Sequence, residues 1–227
     1  MRRLQMTLDP RGLAKMAGQA ARTRVRVKVC GITTPSDAAL AADAGVDAIG
    51  INFYAGSPRA VSTDQAVAIR SALPAHVAAV GVFVDPPEAT VREALGEARL
   101  DVLQFHGSEP AAFCRQFDTP YVKAVGVGRG FDFDAWERDY ADARALMLDG
   151  RQGGRSGGTG VPFDWTLWPR SDRLLVLAGG LNPDNVAAAI RRTRPFAVDV
   201  ASGVEGPTKG RKDPARLRGF LAAVANA

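Results

Sequence analysis

The sequence predicts an α/β protein built as a single (β/α)8 TIM barrel around a parallel eight-stranded sheet. Three observations carry this expectation. From residue 25 to the C-terminus, short apolar runs alternate with amphipathic or alanine-rich stretches eight times. The units recur at roughly 25 residues, a spacing that suits closure of eight strands into a barrel. The runs are apolar nearly throughout, the pattern of strands buried on both faces by flanking helices.

The elements follow in order. The first strand is expected over residues 25–30. Thr34-Pro35-Ser36-Asp37 then opens a helix over 36–44, with proline in its first turn and Gly45 as its stop signal. Strands at 48–53 and 77–84 are followed by helices at 63–73 and 87–98, and Asp85 is expected to cap the second of these. The fourth unit reads as a strand at 101–106 and a helix at 110–117, in which Cys114 is core packing. Then come 121–125 with 132–141, 145–149 with 164–168, 174–177 with 183–192, and 197–200 with 214–224. Asn182-Pro183-Asp184 reads as a second helix-start signal. Eight strands joined by crossover helices argue for a parallel sheet. A doubly wound open sheet is the runner-up, but Cys30-Gly31-Ile32-Thr33 after the first strand is not a dinucleotide fingerprint.

Composition narrows the function classes. With 46% hydrophobic residues the chain has ample material for one core. No apolar run is long enough to span a membrane, and no apolar leader is present in residues 1–24. Two cysteines do not make a disulfide framework and fit a reducing, cytoplasmic setting. The net charge of +5 sits wholly in residues 1–24, where Arg2, Arg3, Arg11, Lys15, Arg22 and Arg24 face Asp9 alone. The remaining body is neutral, so a nucleic-acid footprint is not expected. Residues 1–24 read as a mobile, dispensable basic extension, and residues 25–227 as the catalytic barrel.

Candidate chemistry lies at the C-terminal ends of the strands, where barrel enzymes keep it. Two strands deliver one ionisable side chain each, followed by glycine: Cys30 and Asp149. A thiol that becomes a base and a carboxyl that donates a proton form a minimal acid–base pair. Gly179-Gly180 after the seventh strand and Ser202-Gly203 after the eighth read as phosphate-binding loops, since glycine lets backbone N–H groups approach an anion. The glycine-rich stretch 153–160 beyond Asp149 reads as a loop closing over the mouth. Arg59, just past the second strand, is placed to hold a carboxylate. His106 ends the fourth strand and is a secondary candidate. Lys28 shares parity with Cys30 and so points into the barrel below it; an interior lysine needs a partner, and Asp199 on the adjacent eighth strand is the candidate. Neither cysteine has metal-ligand spacing, so no metal site is expected.

Together these segments resemble the phosphoribosylanthranilate isomerase family of tryptophan biosynthesis. The likeness rests on Lys28-Val29-Cys30-Gly31-Ile32-Thr33, on Gly56-Ser57-Pro58-Arg59, Gln104-Phe105-His106-Gly107, Leu148-Asp149, Gly157-Gly158-Thr159-Gly160 and Ala178-Gly179-Gly180-Leu181-Asn182-Pro183, and on the run from Asp199 to Glu205. It covers residue 25 to the C-terminus. It implies an Amadori rearrangement of N-(5-phosphoribosyl)anthranilate to 1-(2-carboxyphenylamino)-1-deoxyribulose 5-phosphate, with Cys30 as general base and Asp149 as general acid. It further implies Arg59 on the anthranilate carboxylate, and Gly158, Gly180, Ser202 and Gly203 in the phosphate loops. No cofactor is implied, because the anthranilate nitrogen is itself the electron sink. The implied partner is a small-molecule phosphoribosyl substrate, with no nucleic acid and no membrane, in a monomer or homodimer. The chain departs from the family pattern at Asn52, Phe105, Val161 and Ala201.

Ordinary pKa values oppose the assigned roles. A free Asp near 3.9 is protonated to about one part in a thousand at neutral pH, and a free Cys near 8.5 is a few per cent thiolate. Burial is expected to raise the carboxyl, and Lys28 to favour the thiolate. Two other readings compete: a different phosphosugar barrel enzyme, such as a histidine-pathway isomerase using two carboxyls or a metal-dependent epimerase, and a non-catalytic phosphate binder.

Overall fold

The computed structural model describes residues 24–150 and 164–227. The basic extension and the glycine-rich loop, with Gly158 and Val161, lie outside the described residues, except that Arg24 grips Asp47 through two hydrogen bonds of 2.9 and 2.7 Å.

Eight parallel strands close into a barrel, β1 (Arg26–Cys30), β2 (Ala48–Asn52), β3 (Ala78–Phe83), β4 (Val102–Phe105), β5 (Tyr121–Val127), β6 (Ala145–Gly150), β7 (Leu175–Leu177) and β8 (Ala197–Val200). The open-sheet alternative is thereby removed. Helices α1 (Pro35–Asp43), α2 (Thr63–Ser71), α3 (Glu88–Ala98), α4 (Ala111–Arg115) and α5 (Phe133–Asp139) follow the first five strands. Helices α6 (Val186–Thr193) and α7 (Pro214–Ala225) follow β7 and β8. No helix among the described residues is long and apolar enough to cross a membrane.

Strand alternation divides the chain into two layers. Val27, Val29, Leu146, Leu148 and Val198 belong to the large apolar layer between sheet and helices, with Phe83, Phe105 and Phe220 as its bulkiest buried members. Phe105, one of the departures, packs against the rings of Phe83, Phe113, Phe117 and Tyr121, so its extra volume is absorbed by an aromatic cluster under α4. The opposite parity faces the barrel axis. There Ala124, Ala145, Met147, Val176, Ala178 and Ala197 form a smaller apolar plug. The next inward positions at the C-terminal ends of β6, β8 and β1 are Asp149, Asp199 and Cys30.

Local chemistry starts most elements as expected. Thr34 caps α1, its hydroxyl accepting from the Asp37 N–H, and Ser62 with Gln65 forms a reciprocal capping box on α2. Three expectations need correction. Asp85 does not cap α3, whose N-cap position is Pro87 and which has no side-chain cap; its carboxylate accepts from the Ser108 N–H at 2.6 Å instead. Asn182 opens a turn rather than the helix, accepting from the N–H groups of Asp184 and Asn185, and α6 starts at Val186. Where a helix is expected at 164–168 there is a 3₁₀ turn, Trp165–Leu167, capped by Asp164, because a segment that short cannot repay helix nucleation.

Candidate active site

A cleft of about 210 Å³ opens at the C-terminal mouth of the barrel, lined among others by Cys30, Arg59, His106, Asp149, Asp199 and Ser202, with Gly179 and Gly180. Around the mouth the order is Asp149 on β6, the loops after β7 and β8, Cys30 on β1 and Arg59 after β2. Parallel pairing places Lys28 beside Asp199 and Cys30 beside Gly50. Larger crevices on the flank and at the opposite end of the barrel hold none of the strand-end candidates.

Lys28 donates to Asp199 Oδ1 at 2.8 Å, the pairing expected from strand adjacency. Burial alone opposes the ammonium charge, but Asp199 and the Cys30 sulfur outweigh it and hold Lys28 above its ordinary pKa. For Cys30 the balance goes the other way. Burial pushes the thiol above its ordinary value, while Lys28 and Lys212 pull it down without prevailing. The sequence-based expectation that Lys28 favours the thiolate holds for that contact but not for the net result.

Asp149 faces His106, whose Nε2 lies 3.3 Å from Oδ2. Gln104 reaches the other ring nitrogen, its Nε2 being 3.0 Å from Nδ1. With that amide donating to Nδ1, the ring proton sits on Nε2 and is presented to the carboxylate. The room for Asp149 comes from Gly179: a Cβ there would lie 2.7 Å from Oδ1 and would collide with the Gly150 backbone.

The two expected phosphate loops meet. Gly179 and Gly180 adopt φ of 90° and 64°, a left-handed pair that only glycine takes without strain. A Cβ on Gly203 would collide with the Leu181 carbonyl, so the loops after β7 and β8 are pressed together. Ser202 and Gly203 begin a 3₁₀ turn, whose first N–H groups have no acceptor within the turn. Gly180, Ser202 and Gly203 also share a second crevice on the outer side of these loops.

Arg59 is not the exposed cation that its position in a Ser-Pro-Arg turn suggests. It is buried, and its Nε and Nη2 donate to the two carboxylate oxygens of Glu205 at 2.6 and 2.8 Å. The bidentate fork expected to be free is thus already committed within the chain. Asn52, a second departure, ties the same loop together. Its Oδ1 accepts from the Tyr54 N–H, and its Nδ2 donates to Ser57 Oγ, which also accepts from the Arg59 N–H.

Sequence reasoning brought Cys30, Asp149, Arg59, His106, Asp199 and the glycine loops to one mouth. It missed Gly50, Gln104, Glu205 and Lys212. Two signals were present: Gln104 shares strand parity with His106, and a glycine inside a strand marks a close approach. No signal marks Glu205 and Lys212, whose partners lie in remote segments.

The family model of N-(5'-phosphoribosyl)anthranilate isomerase matches residues 27–223. The N-(5'-phosphoribosyl)anthranilate isomerase of Pseudomonas fluorescens is 51% identical over 201 residues, which is 88% of this chain and 95% of that protein. The crystal structure of phosphoribosyl anthranilate isomerase from Thermotoga maritima superposes with a TM-score of 0.81 at 39% identity, covering 89% of this chain and all of that one. A phosphoribosyl anthranilate isomerase in complex with reduced 1-(o-carboxyphenylamino)-1-deoxyribulose 5-phosphate gives 0.79 at 38% identity, with coverage of 89% and 100%. The chain belongs to the N-(5'-phosphoribosyl)anthranilate isomerase family.

Proposed function

We propose that this protein isomerises N-(5'-phosphoribosyl)anthranilate by the Amadori rearrangement, with Cys30 as general base and Asp149 as general acid. The observation that carries this reading is that Cys30 and Asp149, each at the C-terminal end of a strand and followed by glycine, open into one cleft with His106 and the paired glycine loops.

The phosphate is held by the loops at Gly179-Gly180 and Ser202-Gly203, which fixes the ribose between Asp149 on one side and Cys30 on the other. Asp149 protonates the ring oxygen, the ring C–O bond breaks, and the anthranilate nitrogen supplies the electron pair that forms the protonated Schiff base. Cys30, as thiolate, removes the proton from C2, and those electrons flow to the nitrogen to give the enolamine. Tautomerisation of the enol to the ketone completes the aminoketose. His106 positions the Asp149 carboxyl, and Lys28, held in place by Asp199, is a cation that favours the thiolate once it forms, against the opposing charge of Asp199. Arg59 receives the anthranilate carboxylate.

The test is fluorescence-monitored loss of phosphoribosylanthranilate, generated in place from anthranilate and phosphoribosyl pyrophosphate by a transferase. The wild-type chain is expected to accelerate it. Cys30→Ala and Asp149→Asn are each expected to lower kcat by roughly 10²- to 10⁴-fold, the usual contribution of general acid–base catalysis. Near-normal turnover in either variant removes that residue from its role.

A further inference from the structure

A buried cluster of three charges stands beside Cys30, and its composition is unbalanced. Arg59, Glu205 and Lys212 come from the loops after β2 and β8 and are all buried. Glu205 accepts from Arg59 through both carboxylate oxygens and from Lys212 Nζ at 3.0 Å. Lys212, whose side chain is 0% exposed, also donates to the carbonyls of Cys30 at 2.7 Å and Ala201 at 3.2 Å. Two cations therefore share one carboxylate. Burial alone would raise the Glu205 carboxyl, yet the Arg59 and Lys212 contacts hold it below its ordinary pKa, so it remains an anion. Asp199, another carboxylate lining the cleft, is already paired with Lys28.

Geometry decides where the surplus positive charge is presented. The Arg59 stem lies across Gly31, where a Cβ would collide with its Cδ. Its main-chain N–H is held by Ser57 Oγ, and the Nε–Nη2 edge is taken by Glu205. Arg59 nevertheless lines the cleft beside Cys30. With Nε and Nη2 taken by Glu205, Nη1 is the guanidinium nitrogen left for a ligand.

We infer that Glu205 is a positioning residue for substrate specificity: it fixes Arg59 so that the unbalanced cation of the Arg59–Glu205–Lys212 cluster meets the carboxylate of the substrate's aromatic ring. The substrate carboxylate is the second anion of the cluster. A buried guanidinium held at one edge has little freedom left to lose on binding, so its hydrogen bond to an incoming carboxylate is preorganised. Lys212 locks the same cluster to the end of β1 through the Cys30 carbonyl, which ties recognition of the carboxylate to the place of the base. This inference rests on the reading that Arg59 receives that carboxylate.

Two stable ligands separate the possibilities: 1-(2-carboxyphenylamino)-1-deoxyribitol 5-phosphate and its counterpart with a plain phenyl ring. Calorimetry gives both Kd values for the wild type, Glu205→Gln and Glu205→Asp. The wild type is expected to prefer the carboxylated ligand by at least about tenfold, the scale of one charge-assisted hydrogen bond. Glu205→Gln is expected to cut that preference by roughly tenfold, with the phenyl ligand held within about twofold of wild type. Glu205→Asp, which keeps the charge but shortens the reach, is expected to fall between and serves where Glu205→Gln does not fold. Equal weakening of both ligands, or an unchanged preference, overturns the positioning role. A wild type without preference for the carboxylated ligand overturns the Arg59 reading itself, and this inference with it.

Discussion

Cys30 Sγ occupies space that a side chain at Gly50 would claim: a Cβ on Gly50 would lie 2.7 Å from that sulfur and 3.0 Å from Lys28 Nζ. Neighbouring parallel strands place these residues side by side. Gly50→Ala is therefore expected to displace the thiol and the ammonium. A misplacement on the order of 1 Å costs roughly 10²-fold in rate, so kcat is expected to fall by about that factor. Inorganic phosphate should still protect the variant against thermal unfolding, because the glycine loops are untouched. Normal kcat in Gly50→Ala would show that the thiol's place is not critical.

The Lys28–Asp199 pair is expected to behave as a buried ion pair. Removing one partner leaves the other charge without compensation, at a cost of about 3–5 kcal/mol. Lys28→Met is expected to lose stability on that scale in urea unfolding, and Lys28→Met/Asp199→Leu to recover much of it while staying poorly active. A single variant as stable as wild type would mean that the pair is solvated rather than buried.

The raised pKa of Cys30 fixes the direction of the pH profile. The resting group is the thiol, so kcat/KM is expected to climb on the alkaline side, with its limb above the ordinary cysteine value of about 8.5. Lys28→Met removes a cation that favours the thiolate and should move the limb higher. A profile flat from about pH 7 to about pH 10 would exclude Cys30 as the base.

Cys114 gives a separate test by stability. Burial pushes its thiol up to about 12. A group whose folded-state pKa is raised contributes stability that is fully present below the unfolded value, near 8.5, and is lost as pH rises toward the folded one. The melting temperature of the wild type is expected to fall more steeply between about pH 8.5 and about pH 11 than that of Cys114→Ala. Parallel slopes would show that Cys114 does not carry this effect.

Residues 2–23 are proposed to be dispensable. Their deletion, keeping Arg24 on Asp47, is expected to leave kcat/KM within about twofold, since the neutral body carries every candidate site residue. A larger loss would give the basic extension a role in turnover.

The sequence by itself determined the eight strands, their parallel order and the ionisable side chains that stand at their C-terminal ends. Doubly buried strands are apolar nearly throughout, and parity fixes which residues share a face, so Lys28, Cys30 and Asp199 could be placed together before any coordinates. Strand ends were legible to within about two residues. The turn chemistry of Asp85 and Asn182 was not, because these side chains serve turns and caps alike. Only the tertiary structure decided the partner of Arg59, the net direction of the Cys30 pKa and the room that Gly50 and Gly179 provide. Barrel closure sets those relationships: it brings Glu205 to Arg59 across 146 positions of sequence and Lys212 to Cys30 across 182. Nothing in the local pattern of either segment encodes a contact made only when the eighth strand meets the first.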